Sequence, residues 1–233
     1  MIIAANFKAC KTRKETQSYF DTVNTYLRES QNAQESIVFV PASTFMHTLD
    51  GATLGAQNAY PVANGAYTGE TALDHLEEFG IKTILIGHSE RRQILGESQE
   101  EIAKKFAFFK ENGFRICYCI GEPIEVKEQG HDAVVAYLDK ELVGIDLDYN
   151  NMMVAYEPIW AIGTGLTPTN DEIDAILADV KAKTGQEVLY GGSVKTANVK
   201  EILSLPNCDG VLVGSAALIA QDYIMMLETA DKI

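Results

Sequence analysis

Positive charge is what this 233-residue chain has least of: 19 Lys and Arg stand against 33 Asp and Glu, for a net charge of −14. Nucleic acids and anionic membrane surfaces are bound by clustered Lys and Arg that displace counterions, so this balance argues against both as partners. The densest group of cations, Lys8, Lys11, Arg13 and Lys14, is short and runs into the first helical pattern, where all but Lys8 read as solvated surface. Any anionic ligand must then be held by local groups. Cysteine is sparse as well. Cys10, Cys117, Cys119 and Cys208 lie far apart except for one C-x-C pair inside an apolar run, and no second cluster completes a zinc site. Core thiols in a reducing compartment are the simpler reading. No apolar run reaches the length of a bilayer span, and Met1 to Asn6 lacks the basic and long apolar regions of a secretory signal. A soluble cytoplasmic protein is expected. Absent too is a G-x-G-x-x-G turn after the first strand pattern, where Asn6-Phe7-Lys8-Ala9-Cys10 stands instead.

What the chain does have is 46% hydrophobic residues, enough for a sizeable core. Short β-branched runs alternate with longer amphipathic stretches about every 25 to 30 residues, the pattern of successive βα units. Eight such units can be counted. Strands are predicted at Ile2 to Asn6, Ser36 to Val40, Thr53 to Asn58, Thr83 to Ile86, Arg115 to Ile120, Met153 to Ala155, Glu187 to Tyr190 and Gly210 to Val213. Helical patterns run over Glu15 to Glu29, Ser98 to Asn112, Ala133 to Val143, Asp171 to Lys183, Thr196 to Leu203 and Ala216 to Ala230, with Asn170 as a helix cap and Gly113 and Gly185 as terminating glycines. An α/β protein follows: one domain over residues 1–233, a closed (β/α)8 barrel of eight parallel strands surrounded by helices. An open doubly wound sheet is the alternative, without its usual glycine fingerprint.

Catalytic groups in such a barrel collect at the C-terminal ends of the strands. Asn6 and Lys8 follow the first strand, His88 to Arg92 the fourth, Glu122 the fifth, Glu157 the sixth, Gly191-Gly192-Ser193 the seventh and Gly214-Ser215 the eighth. At Glu157, Pro158 ends the strand, and the apolar Ile159-Trp160-Ala161-Ile162 leads to Gly163 and Gly165, so the segment reads as a lid over a carboxylate. Losing water makes such a carboxylate a stronger base toward a carbon acid. The glycine turns after strands seven and eight can present the backbone N–H groups of Ser193, Gly214 and Ser215 to a phosphate. His88 precedes what reads as a helical first turn, whose positive end disfavours imidazolium, although a lone His beside a strand is more often structural. Lys8 could support negative charge in the site or merely pair with Glu90. Together these groups suit proton abstraction beside the carbonyl of a small phosphorylated substrate, with no metal and no cofactor required. His47, His75 and His131 are too scattered for a metal centre.

Asn6-Phe7-Lys8, Gly87 to Arg92, Cys119-Ile120-Gly121-Glu122, Ala155 to Gly165 and Tyr190 to Val194 resemble the triosephosphate isomerase family, in its order and over essentially the whole chain. The resemblance implies a TIM barrel, with Glu157 as the base and a neutral His88 as the electrophile, a pairing that is this family's own known pattern. It implies further that Asn6 and Lys8 support the substrate, that Glu90 organises Lys8, and that the Ser89 hydroxyl holds Glu157 before substrate arrives. Gly163 would join Ser193, Gly214 and Ser215 around the phosphate. Ile162 and Leu212 would clamp the carboxylate, with Pro158 at the hinge and Tyr190 bonding the closed lid. Gly65 to Glu70 is similar to the arm by which one subunit of a homodimer enters its partner, placing Thr68 near the partner's Asn6 and Glu90. Departures stand at Phe7, Ala9 and Cys10, where the family usually has Trp, Met and Asn, at Ser215, which replaces the second of a glycine pair, and between Lys181 and Glu187, where the connection is short. Competing readings are another phosphate-binding barrel enzyme and a non-catalytic barrel acting as an interaction protein.

Overall fold

The computed structural model describes residues 1–30, 34–45, 49–162 and 166–233. Eight parallel strands follow one another around a closed barrel: β1 (Ile2–Asn6), β2 (Glu35–Val40), β3 (Thr53–Ala56), β4 (Thr83–Ile86), β5 (Arg115–Ile120), β6 (Met152–Tyr156), β7 (Glu187–Tyr190) and β8 (Gly210–Val213). The ring closes where β1 pairs with β8, Ile2 opposite Gly210 and Ala5 opposite Val213, which an open sheet would not do. The described helices are α1 (Arg13–Glu29), α2 (Leu73–Glu78), α3 (Ser89–Gln93), α4 (Gln99–Glu111), α5 (Ile124–Lys127), α6 (His131–Glu141), α7 (Asn170–Thr184), α8 (Val199–Leu203) and α9 (Ala220–Ala230).

Strands buried on both faces read as continuous apolar runs, and alternate residues of each run belong to different cores. Ile2, Ala4, Ile37, Phe39, Leu85 and Leu189 fill the barrel. Their neighbours Ile3, Val38, Ile84, Val154, Val188 and Val211 pack outward against the helices. Cys117 and Cys119 share the inner core and Cys208 is buried, as expected of core thiols, but Cys10 is exposed; all four are free.

The departures from expectation have local causes. The cap of α7 is Thr169, not Asn170: its hydroxyl accepts the Glu172 N–H at 3.2 Å while the Glu172 carboxylate accepts the Thr169 N–H at 2.8 Å, a reciprocal pair that Asn170, one residue later, cannot make. The pattern from Ala216 splits, because Ser215–Leu218 forms a 3-10 turn and Ile219 is extended, so α9 begins at Ala220. β3 stops at Ala56, and the Gln57 side chain just beyond it bonds the backbone carbonyls of Lys8 at 2.9 Å and Phe39 at 3.2 Å. Gly185 ends α7 with φ of 67°, as its position predicted.

The closing seam leaves no room for a side chain at residue 210, where a Cβ would collide with the Ile2 carbonyl oxygen. Gly210→Ala is therefore expected to destabilise the fold by about 1–3 kcal/mol, read as a lowered midpoint in urea unfolding.

Candidate active site

At the C-terminal ends of the strands lies a cavity of about 820 Å³. Asn6 and Lys8 line it from β1, His88 and Glu90 from β4, and Glu157 and Ile162 from β6. Ser193 contributes from the turn after β7, and Leu212, Gly214 and Ser215 from β8 and its turn. Three expected residues do not line it. Ser89 sits buried behind Glu157, Tyr190 is buried in the barrel wall, and Thr68 is exposed on the loop between β3 and α2. Gly163 and His47 lie outside the described residues.

Glu157 leaves β6 just before Pro158, with its N–H held by the Ile120 carbonyl at 2.7 Å. Its carboxyl is only 3% exposed. Room for it comes from Gly191, where a Cβ would stand 2.7 Å from Glu157 Cγ. Oε1 lies 3.1 Å from His88 Nε2, and Oε2 accepts the Ser89 backbone N–H at 3.3 Å. It is thus the Ser89 amide that reaches Glu157, where the resemblance implied the hydroxyl.

His88 caps α3, its Nδ1 accepting the Glu90 N–H at 3.2 Å. An acceptor Nδ1 carries no proton, so this bond favours the neutral ring with its N–H on Nε2, aimed at the Glu157 carboxylate. Burial also works against imidazolium; the Glu157 charge and hydrogen bond outweigh it and raise the His88 pKa. The helix end alone does not govern this histidine. For Glu157 burial likewise opposes the charge, and His88, the Ser89 amide and Lys8 together hold the carboxyl below its ordinary range.

Lys8 has φ of 49°, the one non-glycine positive φ among the described residues. This costly geometry is fixed from both sides: Lys8 N–H donates to Asn6 Oδ1 at 2.9 Å, and Gln57 Nε2 donates to the Lys8 carbonyl at 2.9 Å. The turn aims Nζ at Glu90 Oε1, 2.6 Å away. Sequence reasoning placed Glu90 beside Lys8 but gave Gln57 no role; its position at the end of a strand was the available signal.

On the opposite side, Asn198 braces the turn after β7 by donating to the Ser193 carbonyl at 3.0 Å. Ser215 lines the cavity without the positive φ that would favour glycine. A Cβ on Gly192 would run into the Tyr190 hydroxyl and stand 3.2 Å from Pro158 Cγ, so bare backbone lets β7 meet the hinge. The Tyr190 hydroxyl itself is buried without a hydrogen-bond partner among the described residues. Beyond Pro158, Trp160 Nε1 donates to Glu122 Oε1 at 2.7 Å, and the Tyr156 hydroxyl lies 3.3 Å from the same oxygen. Burial raises the Glu122 pKa. Glu122, known from sequence only as a strand-end acid, anchors Trp160 in the segment expected to act as a lid. Among the described residues no three His, Cys, Asp or Glu side chains come together as metal ligands would.

The opposite shifts of His88 and Glu157 define a pH window. A raised histidine pKa stabilises the fold below the unfolded value of 6.5, a benefit lost as pH rises through the folded value; a lowered carboxyl pKa stabilises it above 4.5, a benefit lost on acidification through the folded value. The stability deficit of His88→Gln, measured by urea unfolding across pH, should therefore be largest between about 4.5 and 6.5 and shrink on both sides.

The family model described as triosephosphate isomerase matches residues 1–230. Among similar curated proteins, the triosephosphate isomerase of Sulfurimonas denitrificans is 51% identical over 233 residues, covering 100% of this chain and 97% of its own. That of a Sulfurovum species is 52% identical over 227 residues, covering 97% and 99% respectively. That of a Nitratiruptor species is 47% identical over 232 residues, covering 100% and 99%. Matched along its whole length by that model and by these relatives, the chain belongs to the triosephosphate isomerase family.

Proposed function

We propose that the chain, as one (β/α)8 domain over residues 1–233, interconverts D-glyceraldehyde 3-phosphate and dihydroxyacetone phosphate by proton transfer through an enediolate, the triosephosphate isomerase step of glycolysis and gluconeogenesis. One observation supports this above the rest: a buried Glu157 carboxylate meets His88 Nε2 at 3.1 Å in a cavity that also holds the glycine turns of β7 and β8.

In this reading Glu157 removes the proton from the carbon next to the carbonyl and returns it to the neighbouring carbon. His88 gives its Nε2 proton to the carbonyl oxygen, where charge develops, and recovers one from the neighbouring hydroxyl, so that carbonyl and hydroxyl exchange places, while Lys8, positioned by Asn6 and Glu90, adds a positive field. Backbone N–H groups of Ser193, Gly214 and Ser215, joined by Gly163 on lid closure, hold the phosphate. Ile162 and Leu212 close over the carboxylate and keep out water, which would let the enediolate expel phosphate. The Tyr190 hydroxyl, which has no hydrogen-bond partner among the described residues, suits a bond to the closed lid. Every step is carried by groups of the chain itself, with no cofactor.

A homodimer belongs to this reading. The loop from Tyr60 to Glu70 is braced by the Tyr60 and Tyr67 rings, 4.6 Å between centroids, and carries Thr68 into solvent. Ile94 and Leu95, 76% and 64% exposed just past α3, offer an apolar surface beside Glu90 for a second copy. Four free thiols suit a reducing cytoplasm, and no described helix is long and apolar enough to cross a membrane.

The test is conversion of glyceraldehyde 3-phosphate in chelator-treated buffer by a coupled NADH assay. Rapid turnover is expected, and Glu157→Gln should lower kcat by about 10³-fold while phosphate-bearing inhibitors still bind; no turnover by the folded wild type would leave only a non-catalytic phosphate-binding barrel. Thr68→Arg should give monomers of much reduced activity in size-exclusion chromatography, and a fully active dimer would contradict the arm.

A further inference from the structure

Glu141, the last residue of α6, is a buried carboxylate outside the cavity that the chemistry above does not use. Its Oε2 accepts the Gly121 N–H at 2.8 Å, and its Oε1 lies 3.5 Å from Arg92 Nε. Both side chains are 8% exposed. Arg92 in turn donates to the carbonyls of Gly87 at 2.7 Å and Cys119 at 3.2 Å. These backbone groups mark the ends of β4 and β5. Gly87 is bonded to His88, and Gly121 packs so tightly on the Glu157 carbonyl that a Cβ there would collide with it. The ion pair therefore touches neither reacting side chain yet grips the backbone next to both.

Building on the reading of Glu157 as base and His88 as electrophile, we propose that Glu141 is a positioning residue for the isomerisation: through Arg92 and the Gly121 amide it ties the ends of β4 and β5 together behind the site and sets the spacing of Glu157 and His88. A burden on the fold accompanies this role. Burial raises the Glu141 pKa to about 7, against the opposing pull of Arg92 and the Gly121 amide. The groups that face it are Arg92 from α3, Glu122 beyond β5, Glu157 beyond β6, Tyr118 of β5 and Tyr137 one turn back on α6. A carboxyl whose folded pKa exceeds its unfolded 4.5 holds its proton more tightly when folded, so ionisation costs stability progressively from about pH 4.5 to 7. A neutral side chain would suit the fold better than the charge that holds Arg92.

Glu141→Gln separates alignment from structure, since it keeps an acceptor for Gly121 N–H and loses only the charge. At pH 8 the variant's kcat should fall roughly tenfold with KM changed by less than about twofold, because the phosphate turns follow β7 and β8. Its Tm at pH 8 should equal or exceed that of the wild type. Glu141→Asp, still ionised, should recover part of kcat, and the gap between wild type and Gln variant should narrow below pH 7 as the wild-type carboxyl takes up a proton. Unchanged kcat with a lowered Tm would make Glu141 structural and overturn the inference. A Gln variant that does not fold would make the Glu141 charge a structural partner of the buried Arg92 and overturn the inference equally. A wild type without turnover would instead sink the isomerase reading itself, and this inference with it.

Discussion

A carboxylate kept ionised where almost no water reaches it is the demand that organises this molecule. Glu157 is nearly inaccessible, and a lone carboxylate there would take up a proton. It stays charged because two donors reach it, His88 Nε2–H and the Ser89 amide, and both exist only if the end of β4 stands across from the end of β6. β5 lies between those strands, and its terminal Gly121 gives way to the Glu157 backbone. Barrel closure, bare glycine backbone and helix capping by His88 thus converge on one ionisation state.

Much of this was legible in the chain. Apolar runs buried on both faces gave the strands, and their number implied closure. The rule that strand ends collect functional groups singled out Asn6, Lys8, His88 and Glu157, which the structure brings to one cavity. Roles were another matter: the order of base and electrophile rested on resemblance to a family. What stayed hidden shares one physical trait, a partner distant in sequence. Gln57 bonds a carbonyl 49 residues away, Glu141 an amide 20 residues away and Glu122 an indole 38 residues away, and no periodicity encodes such pairs. Short-range errors arose where two polar residues competed, as Thr169 did with Asn170 for the helix cap.

The acidic composition also finds its place. With a net charge of −14, the surface as a whole does not attract an anion. Among the described residues only Lys8 and Lys195 line the cavity as cations, and Lys8 is already paired with Glu90. Backbone amides at the turns after β7 and β8 are neutral groups whose dipoles act at contact range, so under the proposed function anion recognition would be confined to the cavity.

The seam between β1 and β8 joins the first and last strands of the barrel. The Tyr223 hydroxyl of α9 bonds the Ile3 carbonyl at 2.9 Å and Ser36 Oγ at 2.7 Å, extending the closure into the last helix. A chain emerging from a ribosome makes β1 first and β8 last, so throughout synthesis the free edge of β1 waits for a partner that has not yet been translated. Native pairing of that edge becomes possible only after β8 has left the ribosome, and until then the nascent chain has an open edge to protect from foreign strands.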